Sequence, residues 1–146
     1  MGSSVEIPAS ERADEETVRL MTTPGIGPVT AQAIEAFAPP MESFRRGRDF
    51  SAWLGLVPKQ HTTGGKPRLG KISKMGQRDL RRLLITGAMA VVHHESRRGE
   101  ASDPWLARML ARKPKMLVAV ALANRTARVV WALTTKKEIY RARAAA

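Results

Sequence analysis

The chain has 146 residues, 43% of them hydrophobic, and no cysteine; this bounds it to one domain, or a domain plus a helical arm, with a real core and excludes disulfide frameworks, thiolate zinc sites and cysteine nucleophiles. Lys and Arg number 25 against 13 Asp and Glu, a net charge of +12 with a pI near 11.2, so the expected partner is a polyanion, most commonly nucleic acid. Unbroken apolar runs such as Met116 to Ala123 fall short of the ~18 residues of a membrane span, and the start of the chain is polar and partly acidic, which points to a soluble cytoplasmic protein with no membrane partner.

Residues 1–13 carry no apolar period and read as a flexible lead-in. Residues 14–22 suit a short helix with Val18, Leu20 and Met21 apolar and acids in its first turn. A compact turn, Thr23-Pro24-Gly25-Ile26-Gly27-Pro28, follows. A second helix then runs from Pro28 to about Phe37, with Pro at its first position and Pro39-Pro40 to stop it. Phe44, Phe50, Trp53, Leu54 and Leu56 predict a short helix around 48–55. Residues 58–75 hold Gly64, Gly65 and Gly70 and many charges but no apolar period, which reads as an ordered loop or small hairpin. A long helix is expected from about Gly76 to Ser96, with Leu80, Leu83, Leu84, Ala88, Val91 and Val92 as its apolar stripe. Asp103 and Pro104 mark the start of another helix that runs to about Ala111. The last helix, about 114–137, offers Leu117, Val120, Ala121, Val129, Trp131, Ala132 and Leu133 as core candidates. Few segments suit strands, so the fold class is mainly α: a helix-hairpin-helix, a basic glycine-containing loop and a small helical bundle.

The charge is one-sided. Residues 1–50 carry 5 basic and 8 acidic side chains, net −3, whereas residues 51–146 carry 20 basic and 5 acidic, net +15. Between Lys59 and Arg82 stand eight basic residues (Lys59, Lys66, Arg68, Lys71, Lys74, Arg78, Arg81, Arg82) and the single acid Asp79. A short basic run suits a merely solvated face just as well; its concentration over one loop and the helix that follows favours a phosphate-binding surface.

Two motifs carry candidate chemistry. Helix, Pro-Gly-Ile-Gly, helix over 14–37 is the layout of the helix-hairpin-helix module, in which Gly25 and Gly27 let the backbone turn and present amides to a DNA phosphate. An ordinary tight turn between helices is the competing reading. The second motif is His61-Thr62-Thr63-Gly64-Gly65-Lys66, leading through Arg68, Lys71 and Lys74 into the helix with Arg78, Arg81 and Arg82. Two hydroxyls beside a glycine pair and cations could place an oxygen nucleophile near phosphorus, although from the residues alone a phosphate-gripping loop is favoured over a catalytic one. The spacing is not that of a P-loop. Trp53, Trp105 and Trp131 sit at apolar positions that suit the core, and His93-His94 is not spaced for metal ligation. The acids after Phe50 are too dispersed to form a Mg²⁺ cluster.

As an ordered set, Leu20 to Pro28, Phe44 to Pro58, Thr63 to Lys66, Lys71 to Gly76 and Leu80 to Leu84, with Pro104 to Leu106 and Val120 to Arg128 later, resemble the C-terminal domain of DEDD-type insertion-sequence transposases, the IS-one-ten and IS-eleven-eleven group. The resemblance covers residues 14–141 and leaves 142–146 as a tail. It implies a DNA-binding domain that works in DNA transposition and recombination and is joined in full-length relatives to an N-terminal resolvase-like domain whose acids bind Mg²⁺. It also implies a structured guide RNA and assembly as homo-oligomers. Relatives carry a nucleophilic serine just ahead of the Gly-Gly-Lys, most often at the position of Thr62, with Thr63 as the neighbouring candidate; here both are threonine. Without the acidic domain the chain is expected to hold no cofactor and to be a truncated remnant with no autonomous activity. The alternative class is a non-enzymatic helix-hairpin-helix nucleic-acid-binding module.

Overall fold

The computed structural model describes residues 9–56, 74–98 and 103–141. Its elements are α1 (Ala9–Met21), α2 (Pro28–Phe37), a 3₁₀ turn at Met41–Ser43, α3 (Gly47–Trp53), α4 (Lys74–Arg98), α5 (Pro104–Arg112) and α6 (Lys115–Lys136), and no strand occurs among the described residues. The fold is therefore mainly α, as the sequence predicts. α1 begins at Ala9, upstream of the acid-rich stretch 14–16, so those acids lie inside the helix rather than in its first turn. Of the three apolar residues named for this helix, Leu20 is buried, while Val18 and Met21 are exposed.

Local chemistry explains most helix ends. Pro28 supplies a pre-set φ at the first position of α2. At the other end Ala38 precedes Pro39, whose ring excludes the helical region from its neighbour; Ala38 accordingly takes φ −75° and ψ 144°, and α2 stops at Phe37. Asp103 caps α5 by accepting a 2.9 Å hydrogen bond from the Trp105 backbone N–H. α6 ends where Lys137 turns left-handed at φ 54°.

α6 is the centre of the core. α4 lies along it, α3, α5 and α1 pack on it, and α2 rests on α1 and α4. α4 contributes Leu80, Leu84, Ala88 and Val92, one residue per turn down a single face, with Leu83 and Val91 at its margins. α3 contributes Phe50, which stacks on Trp53 at 6.1 Å and meets Phe44 at 5.4 Å. Burial of side chains of this size stabilises the fold by about 1.5–3 kcal/mol each.

The face of α6 differs from the one expected. Its buried residues are Val118, Ala119, Ala123, Thr126, Ala127, Val130 and Leu133, whereas Leu117 is exposed and Val120, Ala121, Val129, Trp131 and Ala132 are half-buried. This helix is apolar on nearly every side, so periodicity does not single out one face. Alanines at 119, 123 and 127 take the central stripe because small side chains let neighbouring helices approach closely. By length and composition α6 is apolar enough to cross a bilayer; here that stripe is spent on the packing with α3 and α4.

Candidate nucleic-acid interface

The α1–α2 turn is built around one glycine that needs its conformation and one that does not. Gly25 has φ +90°, and a Cβ there would meet the Gly87 carbonyl at 3.1 Å and Val91 Cγ2 at 3.3 Å. Reciprocally, a Cβ on Gly87 would overlap the Gly25 carbonyl oxygen, so the turn seats on α4 by backbone against backbone. Ile26 is buried between the helices, and Thr17 Oγ1 donates to Glu35 Oε2 at 2.8 Å to tie α1 to α2. Gly27 takes φ −93° as the residue before α2 and has open space where a Cβ would stand. The side of the turn bearing Gly25 is thus occupied by α4, and the side bearing Gly27 is open. The first-turn amides of α2, Val29 and Thr30, have no acceptor within their own helix.

Among the sequence-predicted site residues, Thr62, Thr63, Lys66, Arg68 and Lys71 lie outside the described residues. Lys74 opens α4. Arg78, Arg81 and Arg82 are exposed on α4, turned away from its buried Leu80–Val92 stripe. Arg81 reaches α3: a Cβ on Gly55, where φ is +75°, would lie 2.9 Å from its Nη1.

A second basic grouping joins two segments that are remote in the chain. Gly47, the first residue of α3, is buried against α6 so closely that a Cβ would meet Arg128 Cα and its carbonyl oxygen at 3.1 Å. Arg46 and Arg48 flank that glycine, so α3 brings Arg45, Arg46 and Arg48 beside Arg128, all four exposed. Ser51 Oγ holds the junction by donating to the Asn124 carbonyl at 3.1 Å. Proximity between residues this far apart in the chain leaves no trace in local composition; the buried glycine is its only sequence mark.

Arg125, one turn earlier on α6, is used differently. It ion-pairs with Asp103 and lies over the Trp105 ring, 5.1 Å from its centroid. The pair borders a cavity of about 170 Å³ that Glu95, Thr23 and Thr126 also line; two carboxylates there oppose phosphate. Trp53 is buried, whereas Trp105 and Trp131 are half-buried. Trp131 Nε1 donates to the Met41 and Phe44 carbonyls at 3.1 and 3.2 Å, which fixes the 3₁₀ turn to α6. His93 and His94 are exposed on α4. Among the described residues no three acid or histidine side chains converge.

A helical domain with a turn seated on a long basic helix is matched by relatives of one kind. The profile of the transposase IS116/IS110/IS902 family matches residues 18–102. A probable family 20 transposase of Pseudomonas aeruginosa is 50% identical over 136 residues, covering 93% of this chain and 40% of the relative. The transposase for insertion sequence element IS1111A of Coxiella burnetii is 40% identical over 93% of this chain and 37% of its own length. That for IS1328 of Yersinia enterocolitica is 40% identical over 88% and 39%. No solved structure matches significantly. The chain belongs to the IS116/IS110/IS902 transposase family and spans about two fifths of the length of these curated relatives.

Proposed function

We propose that this chain is a DNA-binding domain of an insertion-sequence transposase, acting in the cytoplasm in DNA transposition and recombination. The observation that carries this reading is the one-sided charge, +15 after Phe50, in a chain of transposase ancestry. The exposed Arg78, Arg81 and Arg82 continue the basic run of Lys66, Arg68, Lys71 and Lys74 along the helix that Lys74 opens. Arginine suits phosphate through paired N–H donors. The turn at Gly25 and Gly27 adds the first-turn amides of α2, which favour an anion without reading sequence.

Binding of this type depends steeply on salt and little on base sequence. The test is a titration with duplex DNA between 50 and 200 mM salt, values at which such contacts differ by orders of magnitude. Exchange of Lys66, Arg68, Lys71 and Lys74 for Gln should flatten the slope of log affinity against log salt by about 0.9 per lost contact. A parental slope in that variant would overturn the assignment of the loop.

Cleavage by the chain alone is not part of the proposal. Thr62 stands where family resemblance places a serine, and its methyl group crowds the in-line approach that transfer to phosphorus requires. Mg²⁺, a structured guide RNA and a homo-oligomeric assembly belong to the longer relatives' reaction. Supplied with a resolvase-like domain and guide RNA from such a relative, Thr62→Ser should form protein-linked DNA more readily than the parent, read on a denaturing gel. Adduct from Thr62→Ala but not from Thr63→Ala would move the nucleophile to Thr63.

A further inference from the structure

We propose that the exposed face of α3 is a second phosphodiester-binding surface, made by Arg45, Arg46 and Arg48 together with Arg128 of α6 and bounded at its far end by Arg81 of α4. It rests on the reading of the chain as nucleic-acid-binding but uses residues outside the basic loop.

The geometry begins at Gly47. A Cβ on this glycine would stand 3.1 Å from Arg128 Cα, and the Cα atoms of Arg46 and Arg48 are each about 3.8 Å from that of Gly47. The backbones of these three arginines therefore converge within roughly 9 Å, less than their side chains can span. Along α3, Arg48 and Ala52 are both exposed, and their spacing puts them on one stripe, one turn apart. That helical stripe is about 6 Å long at 1.5 Å per residue. Just past the helix end stands the exposed Gly55, against which the Arg81 guanidinium lies. The result is a low ledge with cations at both ends.

Charge on the ledge is biased but not unopposed. Asp49 lies 3.8 Å from Arg46 and accepts from its backbone N–H at 3.2 Å, so Arg46 is partly neutralised and serves the helix start. No comparable ion pair is seen for Arg45, Arg48 or Arg128 among the described residues. Small residues on the floor let a sugar-phosphate chain approach the helix, and the arginine fork can then engage two phosphate oxygens at once. Backbone contacts of this kind position a nucleic acid without specifying its sequence. The occupant is duplex DNA, the polyanion of the proposed function, and RNA is the competing outcome of the test.

The experiment uses the whole chain and two variants, with a 20-base-pair DNA duplex and an RNA hairpin of the same stem sequence as separate probes. The triple exchange Arg45→Gln, Arg48→Gln, Arg128→Gln leaves Asp49 with its partner. Ala52→Glu places a carboxylate mid-ledge, one turn from Arg48, while every arginine stays in the sequence. On the probe that occupies the ledge, the triple variant should lower the salt slope by about 2–3 for duplex contacts. Ala52→Glu should cut affinity by about tenfold or more through like-charge repulsion. Both variants should melt with the parent. Loss on the DNA probe is the expected result, and loss on RNA alone would overturn DNA as the occupant. Parental slopes and affinities on both probes would overturn the ledge while leaving the loop assignment standing. Failure of the parent to bind either probe would overturn both.

Discussion

Two glycine contacts hold this molecule together, and they have opposite consequences. At Gly25 and Gly87 two backbones meet where the α1–α2 turn lies against α4, and neither residue has room for a methyl group. At Gly47 the first turn of α3 meets the backbone of α6 beside Arg128, and the contact opens directly onto exposed arginines. Close approach in the first case locks two segments of the fold. In the second it also gathers charge. The same residue type thus serves packing in one place and, through packing, electrostatics in another.

The comparison breaks first at Gly87. A Cβ there overlaps the Gly25 carbonyl oxygen, and neither partner is a flexible side chain, so Gly87→Ala should destabilise by about 2–3 kcal/mol. At roughly 2–4 °C per kcal/mol for a chain of this size, thermal denaturation followed by circular dichroism should show a fall of roughly 4–12 °C. A parental melting temperature would mean that the turn is not seated on α4. Gly47→Ala comes next, at about 1–2 kcal/mol. Its sharper readout is nucleic-acid affinity, which should fall by more than folding alone explains because α3 and Arg128 are pushed apart. Unchanged binding at full occupancy of the folded state would separate packing from charge at this contact.

Asp103→Ala should cost about 1–2 kcal/mol, since it removes the α5 cap and leaves Arg125 without its carboxylate. DNA affinity should be retained or slightly raised, because a negative charge is lost and Arg125 is released. The smallest stability effect belongs to Gly27→Val, within about 0.5 kcal/mol or little more, as φ −93° and open space accommodate a side chain. That makes Gly27 the clean probe of the turn. Weaker DNA binding with a parental melt would show that the phosphate comes within reach of the α2 amides, and parental binding would make the turn structural only.

Helix existence was legible in the sequence wherever a residue acts on its own backbone. Pro28 with Pro39-Pro40 delimits α2 at Pro28–Phe37, and Asp103-Pro104 opens α5 as expected. Positions that depend on distant partners were not. The inward face of α6 is set by which residues α3 and α4 can approach, and alanines won over larger apolar neighbours. Gly25 and Gly27 look equivalent as letters, yet only Gly25 has a positive φ. Arg81 was singled out for charge alone; its position over Gly55 comes from the docking of α3 and α4 on the same helix, α6. That Arg45, Arg46 and Arg48 stand beside Arg128 comes from the docking of α3 on α6, a contact between two segments remote in the chain.

After α6 the chain folds back. Tyr140 donates its backbone N–H to Thr22 Oγ1 at 2.9 Å, and Ile139 lies beside Glu15, Val18 and Arg19 of α1. The first helix and the last described residues therefore share one side of the domain. The outer side of α1 is thus steadied from the far end of the sequence. Thr22→Ala would release the last described residues from the end of α1 while the packing around α6 stayed as it is.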